Sequence, residues 1–248
     1  MSNLWNAVKD NVIFLVEFLL LIAAMFVIAY LYEKWLKKKG RDSERILSTR
    51  KIVVIGMFSA LSAILMLLEI PVPFAPPFYK LDFSELPAMI GTFAFGPVAG
   101  VMIEFVKIVL KVLIKGTSTA FVGELANFVV GCSLLIPAAF VYYYKKTRKT
   151  ALLGCLVGTL FMTIVGTSFN AVYLLPKFAQ MFGMPIEVLI AMGTEINSHI
   201  TSVTSFVIFA VAPLNLIKGG SVSLVTLLIY KPLRPIIKGN TLGTNSGK

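Results

Sequence analysis

The sequence has one histidine, His199, and two cysteines, Cys132 and Cys155, both inside apolar runs. This excludes a histidine-cluster metal centre and a disulfide framework, and leaves the cysteines as small packing residues. Acidic residues are scarce, 12 Asp and Glu against 23 Lys and Arg. There is no Walker phosphate loop, no HExxH and no GxSxG. A carboxylate pair drawn from Glu104 and Glu124 has nothing in the sequence to set its geometry. No catalytic residue, metal or cofactor is therefore assigned, and the chain is read as something other than an enzyme. A cleavable signal is also missing, because the first apolar run is too long and lacks a small-residue cleavage site.

Apolar residues are abundant, at 57% of the 248 residues. Several runs exceed the roughly 18 residues that mark a membrane-spanning helix. They are continuous and not alternating, which predicts an all-α polytopic membrane protein and argues against a β-barrel. The formal net charge is +11. In a soluble protein that would suggest nucleic acid. Here the basic residues cluster in short loops, as the positive-inside rule requires, and meet membrane lipid instead.

The first span is read over 11–32, with a single acidic residue, Glu17, on its apolar surface. Lys34, Lys37, Lys38, Lys39, Arg41, Arg45, Arg50 and Lys51 follow in one basic segment. Lys145, Lys146, Arg148 and Lys149 form a second, and Lys231, Arg234, Lys238 and Lys248 a third. Placing all three in the cytoplasm puts the N-terminus outside and gives seven crossings, with a multi-pass cell-membrane location. The second span, 52–70, carries Gly56, Ser59, Ala60 and Ala63. These form two small-xxx-small pairs, suited either to packing within the bundle or to docking a separate membrane partner.

After that span the prolines Pro71, Pro73, Pro76 and Pro77 forbid helix. The loop 74–87 keeps aromatic residues beside a few charges, as a lid over a flat polar ligand would. Ser84 is the expected N-cap of the next, short helix. Glu104 and Lys107 are three apart and share a helix face. Residues 196–211 are polar enough to predict an interfacial or re-entrant helix, with Pro213 opening the last span. Asn127, Asn170, Asn215 and Lys218 lie in the outer halves of their helices. Asparagine both donates and accepts, which suits the amide edges of a heterocycle.

Two blocks, Lys80 to Gly91 (KLDFSELPAMIG) and Phe95 to Gly100 (FGPVAG), resemble the riboflavin-specific substrate-binding (S) components of energy-coupling factor (ECF) transporters. Asn170 to Pro176 (NAVYLLP) and Pro213 to Gly219 (PLNLIKG) are similar to the same family. The resemblance covers about 51–238. It implies a six-helix S-component bundle with a riboflavin pocket facing outward, and one extra N-terminal transmembrane helix. Asn170, Asn215 and Lys218 would be polar ligands, with Asn127 beside them. Phe78, Tyr79, Lys80 and Leu81 would form the lid, with Asp82 to Glu85 starting the next helix.

The implied partners are riboflavin, a transmembrane coupling protein and two ABC-type ATPase subunits. Gly56, Ser59, Ala60 and Ala63 stand where the family has an alanine-based docking surface. The expected organisation is an extra helix over 1–33, a basic linker over 34–50, the binding domain over 51–238 and a disordered tail over 239–248. An S component for another vitamin or precursor is the alternative, and an unrelated membrane enzyme the third reading.

Overall fold

The computed structural model describes residues 2–40, 46–119 and 121–237, with side chains for 12–40, 46–119 and 121–229. Arg41, Arg45 and the tail 239–248 lie outside the described residues. The elements in order are α1 (Ser2–Lys38), α2 (Thr49–Leu67), β1 (Ile70–Pro71), β2 (Lys80–Leu81), α3 (Glu85–Phe95), α4 (Pro97–Lys115) and α5 (Val122–Lys145). Then come α6 (Arg148–Phe169), a π-helical turn (Asn170–Leu174), α7 (Leu175–Phe182), α8 (Ile186–Thr194), α9 (Val203–Phe206), a second π turn (Val207–Val211) and α10 (Ala212–Ile237).

Five stretches are long and apolar enough to cross a bilayer: Val12–Lys38, Thr49–Leu67, Val122–Lys145, Arg148–Phe182 and Val203–Ile229. The other two expected crossings are weaker. α3 has 11 residues, roughly 16 Å at the helical rise, which is about half a hydrocarbon core. α4 has 19 residues but carries Glu104, Lys107, Lys111 and Lys115. The first helix extends to Lys38, beyond the expected boundary at 33.

Both π turns end two residues before a proline, Pro176 or Pro213. Proline lacks the N–H for the ladder and crowds the carbonyl four residues back. The chain widens by one residue per turn and carries on, so the helix is not broken. This corrects the reading of 196–211. Residues 196–202 form a short turn capped by Ser202, whose side chain accepts from Ser205 N. From Val203 the chain runs straight through Pro213 into the last span. The stretch Arg148–Phe182, sixth of the seven expected spans, likewise continues through Pro176 to Phe182, where Gly183 (φ +63°) ends it.

Close helix packing sets the bundle. A Cβ at Gly158 would stand 2.4 Å from Leu134 O, so only glycine lets α6 lie against α5 there. α1 packs on α4 and α5. At one end its buried Glu33 accepts from Val98 N at 3.2 Å and lies 3.6 Å from Lys51 Nζ. Gly96, which joins α3 to α4 directly with φ +106°, brings the backbone against that carboxylate.

Candidate functional site

The lid begins as a tight proline-rich loop after α2. Ile70 pairs with Leu81 and Pro71 with Lys80 in a two-residue antiparallel ladder that closes its neck. Glu69 then accepts from Lys80 Nζ and Lys115 Nζ, each at 2.7 Å. Burial pushes the Glu69 carboxyl up, but the bonds and charges of Lys115 and Lys80 outweigh it and hold the group below its ordinary value. The lid is therefore pinned by charge at its base, and its aromatic tip projects over the bundle.

Beneath the tip is a cavity of about 120 Å³ lined by Phe78, Tyr79, Lys80, Asn127, Asn170, Asn215 and Lys218, among others. Four separate segments thus deliver seven of the eight side chains expected at the site to one void. Leu81 is not among the lining residues. A loop-side void of about 490 Å³ shares Phe78, Lys80, Thr119 and Asn127 with the first. A small inner space and a larger outer one thus adjoin along these shared residues, while Tyr79 lines the inner one alone.

The hydrogen bonds define what each group can offer. Tyr79 Oη donates to Asn170 Oδ1 at 2.7 Å, and Asn170 Nδ2 donates to Gly166 O at 2.8 Å. Burial raises the Tyr79 hydroxyl above its usual pKa, so it stays a donor. Asn215 is as buried as Asn170, yet its Nδ2 has no acceptor among the described residues. A buried amide donor left unmet is costly, and a ligand carbonyl would relieve it.

Lys218 is already engaged. Its Nζ lies 3.0 Å from Asp82 Oδ2, 2.9 Å from Glu85 Oε1 and 3.3 Å from Asn127 Oδ1. Lys107, fully buried, joins the same cluster at 2.7 Å from Glu104 and 3.1 Å from Glu85. Burial pushes the Asp82 carboxyl up; Lys218, Lys107 and the bonds from Ser84 outweigh it and keep it ionised. The stretch 82–85 therefore does more than start a helix. Ser84 stands at the N-cap position but makes no capping bond; its Oγ accepts from Lys107 instead, and Asp82 Oδ1 accepts from Ser84 N.

Glu104 and Glu124 are not brought together. Glu124 pairs with Lys111 and accepts from Thr117 and Thr119. The carboxylate pair considered for acid–base work does not exist. Phe178 is a lining residue that sequence reasoning missed. It stacks on Phe78 with ring centroids 5.0 Å apart. Its signal was spacing: Asn170, Leu174 and Phe178 fall at intervals of four, on one face of the sixth span.

The small residues of α2 divide between two faces. Ser59 and Ala63 are buried in the bundle, with Ser59 Oγ bonded to Ile55 O at 2.7 Å. Gly56 and Ala60 face outward, and nothing lies within 4 Å of a Cβ placed on Gly56. Of the four residues expected at a docking surface, Gly56 and Ala60 are therefore the exposed ones.

An all-helical membrane bundle whose aromatic hairpin closes over convergent amides and a buried lysine is a small-molecule-binding membrane protein. Residues 50–230 match the family model described as "ECF transporter, substrate-specific component". The chain belongs to that family, the substrate-binding components of ECF transporters, and these are transporter subunits, not enzymes. It is 32% identical over 199 residues to "Riboflavin transporter RibU" of Staphylococcus aureus, covering 80% of this chain and 98% of the relative. It is 33% identical over 193 residues to "Riboflavin transporter FmnP" of Bacillus subtilis, covering 77% and 96%. A solved structure described as "Structure and mechanism of the S component of a bacterial ECF transporter" aligns with TM-score 0.59 and 33% identity over 76% of this chain and 98% of that one.

Proposed function

We propose that this chain captures riboflavin from outside the cell for an ECF importer. The observation that carries the reading is the unmet Asn215 amide, buried beside Asn170 under an aromatic lid. Riboflavin offers a flat ring with carbonyl and imide groups along one edge. Phe78, Phe178, Leu175 and Leu214 supply apolar surface for the ring faces. Asn215 Nδ2 donates to a ring carbonyl, and Asn170 serves the edge once Tyr79 swings away. Lys218 and Asn127 bond the remaining polar groups. The inner cavity is small for a tricyclic ring, so the ligand enters with the lid displaced and takes up part of the loop-side void. Relatives that bear riboflavin transporter names match over nearly their whole length, which favours this ligand over another vitamin.

The three basic segments lie in the cytoplasm, with the N-terminus outside. In this orientation the cavity faces the exterior, and Glu33 meets the α3–α4 junction at the cytoplasmic side. The importer is completed by a transmembrane coupling protein and two ABC-type ATPases. The coupling protein docks on the outward stripe of Gly56 and Ala60, which α1 leaves uncovered by packing on α4 and α5.

Detergent-purified protein should carry a flavin absorbance spectrum, or quench riboflavin fluorescence in a titration. Tight binding of another vitamin with no riboflavin binding would overturn the ligand. Ala60→Trp should abolish uptake and leave binding intact; unchanged uptake would remove the stripe as the docking face.

A further inference from the structure

Glu17 is a carboxylate in an otherwise apolar span, a costly placement that calls for a partner. The partners come from the ligand-bearing part of the sixth span. Glu17 Oε2 accepts from Tyr173 Oη and lies 3.9 Å from Lys177 Nζ. Lys177 also sits over the Phe14 ring, 5.5 Å from its centroid. Tyr173 belongs to the π turn that begins at Asn170, and stacks on Phe169 at 5.2 Å. Tyr173 and Lys177 are one helical turn apart and address α1, whereas Asn170, Leu174 and Phe178 line the cavity.

A π turn is held by bonds across five residues, here from Leu175 N to Asn170 O, and has no ordinary ladder to fix its rotation. We propose that Glu17 is a positioning residue for the binding site. It grips the wide turn through Tyr173 and Lys177, and so fixes the direction of the Asn170 amide. This hold comes from outside residues 50–230, the part that matches the family. The extra helix is thereby part of the binding apparatus as well as a membrane anchor. The inference rests on the riboflavin reading for its ligand, and on the contacts of Glu17 alone for its mechanics.

The test is made on the full chain in detergent, with riboflavin as probe. Glu17→Leu removes the acceptor and suits a membrane-facing helix, so insertion and the unliganded melting temperature should stay as in the wild type. Riboflavin dissociation should quicken about three- to tenfold, the net size of one lost hydrogen bond. Tyr173→Phe should quicken release in the same direction, and the double variant should match Glu17→Leu, because the Tyr173 bond is one of the two contacts that Glu17→Leu already breaks. Glu17→Gln keeps an acceptor for the hydroxyl and should restore most of the slow release. A purely structural role would lower the melting temperature and leave release unchanged.

Amide hydrogen exchange across 170–175 in unliganded protein gives a readout that needs no riboflavin. Exchange there should be faster in Glu17→Leu. Wild-type release and wild-type exchange in that variant would overturn the inference. Absence of riboflavin binding by the wild type would overturn the ligand reading, and the exchange result would still decide the hold.

Discussion

Asn170 and Asn215 look alike in sequence and behave differently in the fold. Each lies beside a π turn and a membrane proline, and each is buried at the cavity wall. Asn170 is spent: it accepts from the lid and donates to Gly166 O. Asn215 keeps an idle donor. Both also converge on Gly166, where a Cβ would stand 2.6 Å from Asn215 Nδ2. The contrast teaches that two residues of one type, equally buried, can differ in how far the fold itself satisfies them.

The comparison can be broken most severely through Lys218, which shares a face of α10 with Asn215. Lys218→Met leaves Asp82 and Glu85 buried without their nearer cation. It should cost about 3–5 kcal/mol of stability, read as a large fall in melting temperature together with loss of binding. A variant that melts normally would mean that the cluster is neutral.

Gly166→Ala comes next. The added methyl pushes on the Asn215 amide and should weaken riboflavin binding by about 1–3 kcal/mol in a fluorescence titration, as overpacking does. Unchanged affinity would show that Asn215 is free to move and is not aimed.

The two asparagines can then be compared directly. Asn215→Ala should weaken binding by about 1–3 kcal/mol while leaving the unliganded melting temperature unchanged or slightly higher, since it removes an unmet donor. Asn170→Ala should weaken binding and also lower that melting temperature, because Tyr79 loses its acceptor. Equal behaviour of the two variants in the unliganded protein would collapse the distinction.

The smallest effect is on pH. Glu69 has its folded pKa depressed, so the stability it lends the lid is present above the ordinary carboxylate range and is lost as pH falls through the lower folded value. Glu69 is partly exposed, so the effect is modest. Riboflavin release should be flat from about pH 8 to 5 and quicken only below the ordinary carboxylate value. A break near neutrality would mean that some other group holds the lid.

Much of this was legible in the sequence, and particular residues show why. The prolines at 71, 73, 76 and 77 announced a loop because proline forbids helix wherever it clusters. Asn127, Asn170, Asn215 and Lys218 were readable as one inventory because polar residues in outer helix halves are rare enough to mean something. Pro213 misled, because a lone proline ends a helix in water but is absorbed as a wide turn where neighbouring helices hold both flanks. Ser84 misled too. Its hydroxyl had a charged competitor, Lys107, some twenty residues away. Ser59 and Ala63 could not be told from Gly56 and Ala60, since small residues suit both inner and outer faces.

Hydrophobic run length and the placement of lysine and arginine decide membrane insertion segment by segment. The sequence by itself therefore determined the membrane class, the order of the spans and the blocks that carry the family resemblance. The tertiary structure decided which buried charges pair, which face of α2 is free, and that Glu17 reaches Tyr173. Those outcomes depend on the depth and rotation of helices far apart in the chain, and a buried polar group is satisfied only by whatever such a neighbour brings within about 3 Å of it.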